Sequence, residues 1–159
     1  MCLIVFALGA HPRYRFVVAA NRDEFYARPT APANFWADAP DLLAGKDLAA
    51  GGTWLGITKQ GRFAAVTNYR DPSAPIGEKS RGRLTKDFLI GKDSPEKYLR
   101  KIEREKENFS GFNLLVGDFS NGKSKFFYFS NRAVKTEKLI GGIYGLSNAL
   151  LNTSWHKVE

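Results

Sequence analysis

Short apolar stretches separated by turn-forming residues run through most of the chain, and they predict antiparallel strand pairs. Residues 3–8 and 15–20 flank a turn segment at 9–14, so folding about its centre brings Cys2 beside Asn21, within two residues. Residues 53–58 and 62–68 form a second expected hairpin around Lys59-Gln60-Gly61, which places Asn68 at the same end as Gly51-Gly52-Thr53. Residues 112–119 and 124–130 pair across Asn121-Gly122, and residues 134–140 with 143–148 across Gly141-Gly142. Residues 26–52 hold Pro29, Pro32 and Pro40 and show no sustained period, which predicts a long irregular loop. A further loop is expected over 70–82, with turn signals at Asp71-Pro72 and Pro75-Ile76-Gly77.

The periodicity changes in the middle of the chain. Residues 83–90 predict a short helix ended by Gly91; Ser94-Pro95 then supplies an N-cap and a first-turn proline. Tyr98, Leu99, Ile102 and Phe109 form its buried stripe. Strands, then helices, then strands describe an α+β domain of antiparallel sheets covered by helices. No repeat or domain boundary interrupts residues 1–159, and the last ten residues stop as if more chain were expected.

Composition narrows the class. The 159 residues are 43% hydrophobic and 13% aromatic, enough for one domain with a sizeable core. One cysteine excludes an internal disulfide framework, and with only His11 and His156 beside it no metal-ligand cluster is expected. The seven-residue apolar start is too short for a membrane span and lacks the basic flank of a signal peptide, so a cytoplasmic setting is expected. The net charge of +8 comes largely from a helical stretch interleaved with Glu96, Glu103, Glu105 and Glu107. A solvated face with i,i+4 pairs such as Glu96 to Arg100 and Lys101 to Glu105 accounts for it, and no nucleic-acid partner is expected.

Candidate chemistry centres on Cys2. Removal of Met1 places a thiol and a free α-amine on one residue, nucleophile and general base together, as in an N-terminal nucleophile hydrolase. The competing reading is a small buried hydrophobe. Asn21-Arg22-Asp23-Glu24 reads either as a solvated turn or as a site in which Arg22 holds a substrate carboxylate and Asp23 orients the ammonium of Cys2. Asn68 and Asn148 each end an expected strand. Their amides suit either turn chemistry or an oxyanion, where one fixed donor contributes about 3 kcal/mol. Gly51-Gly52-Thr53-Trp54 fits close backbone approach to a ligand or a plain tight turn.

Taken in order, Met1-Cys2, Asn21-Arg22-Asp23-Glu24-Phe25, Arg28-Pro29, Gly52-Thr53-Trp54-Leu55-Gly56, Thr67-Asn68-Tyr69-Arg70, Ser80-Arg81-Gly82 and Gly145-Leu146-Ser147-Asn148 resemble the NRDE family, also called the transport and Golgi organization protein 2 family. The resemblance runs from end to end. It implies an N-terminal nucleophile hydrolase-like αββα sandwich, incomplete at its C-terminus because family members are longer. By the same resemblance Cys2 matches the nucleophile, Arg22 and Asp23 the substrate-orienting pair, Asn68 an oxyanion asparagine and Asn148 the later active-site asparagine. Asn21, Glu24, Arg28, Thr53 and Trp54 are the expected substrate-binding residues. The function implied is hydrolysis of a small amide or acyl substrate without a metal or cofactor.

The alternative is a non-catalytic family member that handles haem or an acyl lipid in secretory organisation. Haem has Cys2, His11 and His156 as its only soft ligands, and Phe126-Phe127-Tyr128-Phe129 offers a strand for an acyl chain.

Overall fold

The computed structural model describes residues 2–73, 76–122, 124–133 and 135–154. Met1, Pro75, Val134, Trp155 and His156, each part of an expectation above, lie outside the described residues. Among the described residues, ten strands form two antiparallel sheets: β1 (Cys2–Leu8), β2 (Phe16–Arg22), β3 (Thr30–Trp36), β4 (Ala39–Asp47), β5 (Leu55–Thr58), β6 (Arg62–Asn68), β7 (Phe112–Asp118), β8 (Lys125–Ser130), β9 (Glu137–Leu139) and β10 (Gly142–Leu146). The small sheet runs β10-β1-β2 and the large one β3-β4-β5-β6-β7-β8-β9. Two helices, α1 (Gly82–Ile90) and α2 (Pro95–Glu105), lie between β6 and β7 in the chain.

Strand alternation sorts the core into two layers. Phe63 and Ala65 of β6, Leu115 of β7, and Phe126 and Tyr128 of β8 face Ile4, Phe6, Leu8 and Leu146 of the small sheet. Their neighbours Ala64, Val66, Leu114, Val116, Phe127 and Phe129 face Leu84, Phe88 and Leu89 of α1 and Tyr98, Leu99 and Ile102 of α2. The large sheet is therefore apolar on both faces at its centre. Among the described residues the layers are helices, large sheet and small sheet. No second helical layer covers the small sheet, whose outer face exposes Val5, Val17 and Ile143.

Ser94 caps α2 as expected, its side chain accepting from the Lys97 N–H, with Pro95 opening the helix. Its charges find other partners than the expected i,i+4 pairs. Glu96 pairs with Lys125, Glu105 with Lys79, and Lys97 and Lys101 both with Asp93 ahead of the helix. Phe109 is buried but lies past the helix end, after a 3-10 turn over Lys106–Asn108.

Three expectations are corrected. Residues 26–52 are not an irregular loop, since β3 and β4 pair across most of them. Register shifts between Ala31 and Asn34 and between Phe35 and Trp36 break the period-2 pattern, and Pro32 is tolerated because β3 is an edge strand. β9 and β10 do not form a hairpin: β9 adds to β8 in the large sheet and β10 adds to β1 in the small one. The chain changes sheets at Ile140-Gly141, a choice no local pattern records. The β7–β8 connection is longer than a two-residue turn, with a 3-10 segment over Ser120–Gly122.

Candidate functional site

Register between β1 and β2 builds the first part of the site. Cys2 lies directly opposite Arg22, and Leu3 opposite Asn21, so β2 runs two residues further than its apolar pattern. Residues opposite one another in an antiparallel pair present their side chains on one face, which puts the Cys2 thiol and the Arg22 guanidinium side by side at the end of the small sheet. Cys2 is buried. Burial pushes its thiol pKa above 9.0, although the Asp23 N–H directed at the sulfur and the nearby Arg22 charge work in the opposite direction.

A cavity of about 730 Å³ opens beside this pair. Cys2, Arg22, Asp23, Glu24, Arg28, Thr53, Trp54 and Asn68 all line it, eight of the ten residues singled out by the sequence. Asn21 and Asn148 do not line it. Asn21 is exposed and donates to Asp23 Oδ1 (2.7 Å). Asn148 is buried and its Nδ2 donates to the Asn68 carbonyl (2.8 Å), so that N–H ties β6 to the segment after β10.

Paired charges form one side of the cavity. Glu24 accepts from Arg22 (3.1 Å) and lies 4.0 Å from Arg28. Arg28 donates through both Nε and Nη2 to Asp47 Oδ2 (3.1 and 2.7 Å). Asp47 also accepts from the Ala49 and Ala50 amides. Burial alone would raise its pKa, but these donors together hold it below 3.8. Leu43 of β4 and Leu55 and Ile57 of β5 share one face of the large sheet and add an apolar wall to the cavity.

Gly51-Gly52 has a structural cause. Gly51 has φ +67°, and a Cβ on Gly52 would sit 2.6 Å from the carbonyl carbon of Gly82. The close approach is to the chain's own backbone at the start of α1, where Thr53 N–H donates to Gly82 O (3.2 Å). The Thr53 hydroxyl donates to Leu55 O.

Several contributors escaped the sequence reading. Arg81 lines the cavity and donates through Nη1 to Gly111 O (3.1 Å). Its position in Ser80-Arg81-Gly82 carried no chemical signal, because only the fold brings the start of α1 to the end of β1. A buried chain of hydrogen bonds also supports the Cys2 end of β1. Tyr128 donates to Asn113 Oδ1, Asn113 Nδ2 to Thr67 Oγ1, Thr67 to the Ser147 carbonyl, and Ser147 to the Cys2 carbonyl (2.7–3.1 Å). Asn113, a lone amide in a strand of apolar residues, was the available sign of this network.

The described residues do not fit haem. Cys2 opens β1 and His11 lies past its other end, so the length of the strand, about 20 Å at 3.3 Å per residue, stands between them. His11 Nδ1 accepts from the Arg13 and Tyr14 amides. His156 lies outside the described residues. Among the described residues Cys2 is thus the one soft ligand on the cavity, and burial pushes its thiol pKa up. Phe126, Phe127, Tyr128 and Phe129 do not form an acyl-binding strip either, because they are core on both faces of β8. Among the described residues no helix is long and apolar enough to cross a membrane.

Comparison with known proteins places these features in context. A family model described as "Transport and Golgi organisation 2" matches residues 1–159. The "Transport and Golgi organization protein 2 homolog" of Homo sapiens is 41% identical over 167 residues, covering 99% of this chain and 60% of the human protein. The bovine homolog of the same name matches to the same extent. The Drosophila melanogaster "Transport and Golgi organization protein 2" is 30% identical over 174 residues, covering all of this chain and 62% of its own length. The chain thus spans about three-fifths of the length of each of these three relatives.

Proposed function

The chain belongs to the Transport and Golgi organisation 2 family, and on that premise we propose that it is a binding protein whose cavity holds a small acyl compound without turning it over. The observation that carries this reading is the cavity of about 730 Å³, lined both by the apolar Leu43, Leu55 and Ile57 and by the charged Arg22, Glu24, Arg28 and Asp47. Such a volume suits a small molecule, and its mixed lining suits one with an apolar body and a polar end. The raised thiol pKa of Cys2 and the engagement of Asn148 with the Asn68 carbonyl both favour holding over hydrolysis.

A neutral fluorescent acyl probe, cis-parinaric acid methyl ester, tests this. Saturable one-to-one binding is expected, weakened at least about tenfold by Leu43→Asp or Ile57→Asp, which place a charge on the apolar wall. Both side chains are partly exposed, so the fold tolerates the change. Absence of saturable binding overturns the reading.

A second reading, hydrolysis of an amide or acyl bond by Cys2 within an αββα N-terminal nucleophile fold, has one observation in its favour. Cys2, Arg22, Asp23 and Asn68 line the same cavity. It requires removal of Met1, seen as the corresponding loss in intact mass. It also requires a Cys2 that reacts with iodoacetamide at neutral pH faster than an ordinary thiol.

A further inference from the structure

Five basic residues line the cavity, and four of them are already neutralised. Arg22 pairs with Glu24, Arg28 with Asp47, Lys46 with Asp38 and Lys79 with Glu105. Arg81 alone among them has no carboxylate within ion-pairing distance in the described residues. One of its five N–H groups donates to Gly111 O, which leaves most of a rigid donor fork without an acceptor. Arg81 is half-buried, and its charge acts on both Cys2 and Glu24, so it sits at the polar end of the cavity. Glu78, another lining acid, is exposed and makes no ion pair with it.

A partly desolvated cation with no carboxylate in direct contact is an unfavourable arrangement that a bound anion would complete. Guanidinium is also the cation least able to escape by losing its proton. The planar fork matches a carboxylate, which accepts two parallel N–H donors.

Building on the binding role proposed above, we propose that Arg81 seats the carboxylate end of the acyl compound, with the apolar body lying along Leu43 and Ile57. The cavity then discriminates a free acid from its neutral ester, and Arg81 is the residue that sets this preference.

The experiment uses the full 159-residue chain with two probes, cis-parinaric acid and its methyl ester, read by fluorescence enhancement. Wild-type protein is expected to bind the acid at least about tenfold more tightly than the ester. Arg81→Gln brings the acid down to the ester's affinity and leaves the ester unchanged, so retained ester binding also reports an intact fold. Arg81→Lys keeps the charge but loses the fork, reducing the preference to about threefold. If Arg81→Gln fails to fold, the lysine variant decides the matter, and an undiminished acid preference in it overturns the proposal. Equal binding of acid and ester to wild-type protein, or an unaltered acid affinity in Arg81→Gln, overturns the assignment of Arg81 and leaves the cavity reading standing. Failure of both probes to bind wild-type protein overturns both.

Discussion

At the scale of single residues, Cys2 shows how strongly surroundings govern reactivity. The thiolate is the reactive species, and burial pushes the Cys2 pKa above 9.0 despite the Asp23 N–H and Arg22. A raised thiol pKa leaves less thiolate at neutral pH, so alkylation by iodoacetamide is expected to be slower at pH 7.5 than that of an ordinary free thiol and to rise toward higher pH. Rates followed by intact mass between pH 6 and 10 check this, and a plateau reached below pH 8 contradicts it. The neighbourhood of Cys2 was legible because strand register is arithmetic. A turn centred between Gly9 and Tyr14 leaves Cys2 opposite Arg22, one position from the expected Asn21. Arg81 was not legible, because its proximity depends on the path of the chain through β6 and the loop beyond it.

At the scale of elements, the junction between Gly51-Gly52 and the start of α1 holds one wall of the cavity in place. A Cβ at position 52 meets backbone atoms of Gly82, which cannot rotate away as a side chain would. Gly52→Ala is therefore expected to lower stability by about 1–3 kcal/mol in urea unfolding. It also loosens the Thr53 to Gly82 hydrogen bond that links the two segments. Helix α2 was readable from Ser94-Pro95 and its apolar spacing, since caps and stripes are local. The β3–β4 pair was not readable. Its register shifts and Pro32 erase the alternation that identifies a strand, and its pairing is fixed by β5 across Leu42 to Thr58 and Leu43 to Ile57.

At the scale of the whole molecule, a cluster of aromatic rings joins the two sheets. Phe6 stacks on Tyr144 and Phe126, while Phe16 contacts Phe63, Phe119 and Phe126, with ring centroids 4.7–5.5 Å apart. Phe126 touches both sheets' rings and is fully buried, so Phe126→Ala is expected to lose about 3–5 kcal/mol. Because the cluster is shared, near- and far-ultraviolet circular dichroism should follow one transition; two separate transitions would mean that the sheets fold independently. The sequence alone determined the α+β class, three of the strand pairs (β1–β2, β5–β6 and β7–β8), both helices and the placing of Arg22 and Asp23 beside Cys2, because periodicity, caps and turn register act over a few residues. Only the tertiary structure decided that β9 and β10 belong to different sheets, that Asn148 faces Asn68 rather than the cavity, and that Arg81 reaches the cavity with no carboxylate in direct contact. Each of these depends on contacts between segments distant in the chain, set by how two sheets bury their apolar faces against one another.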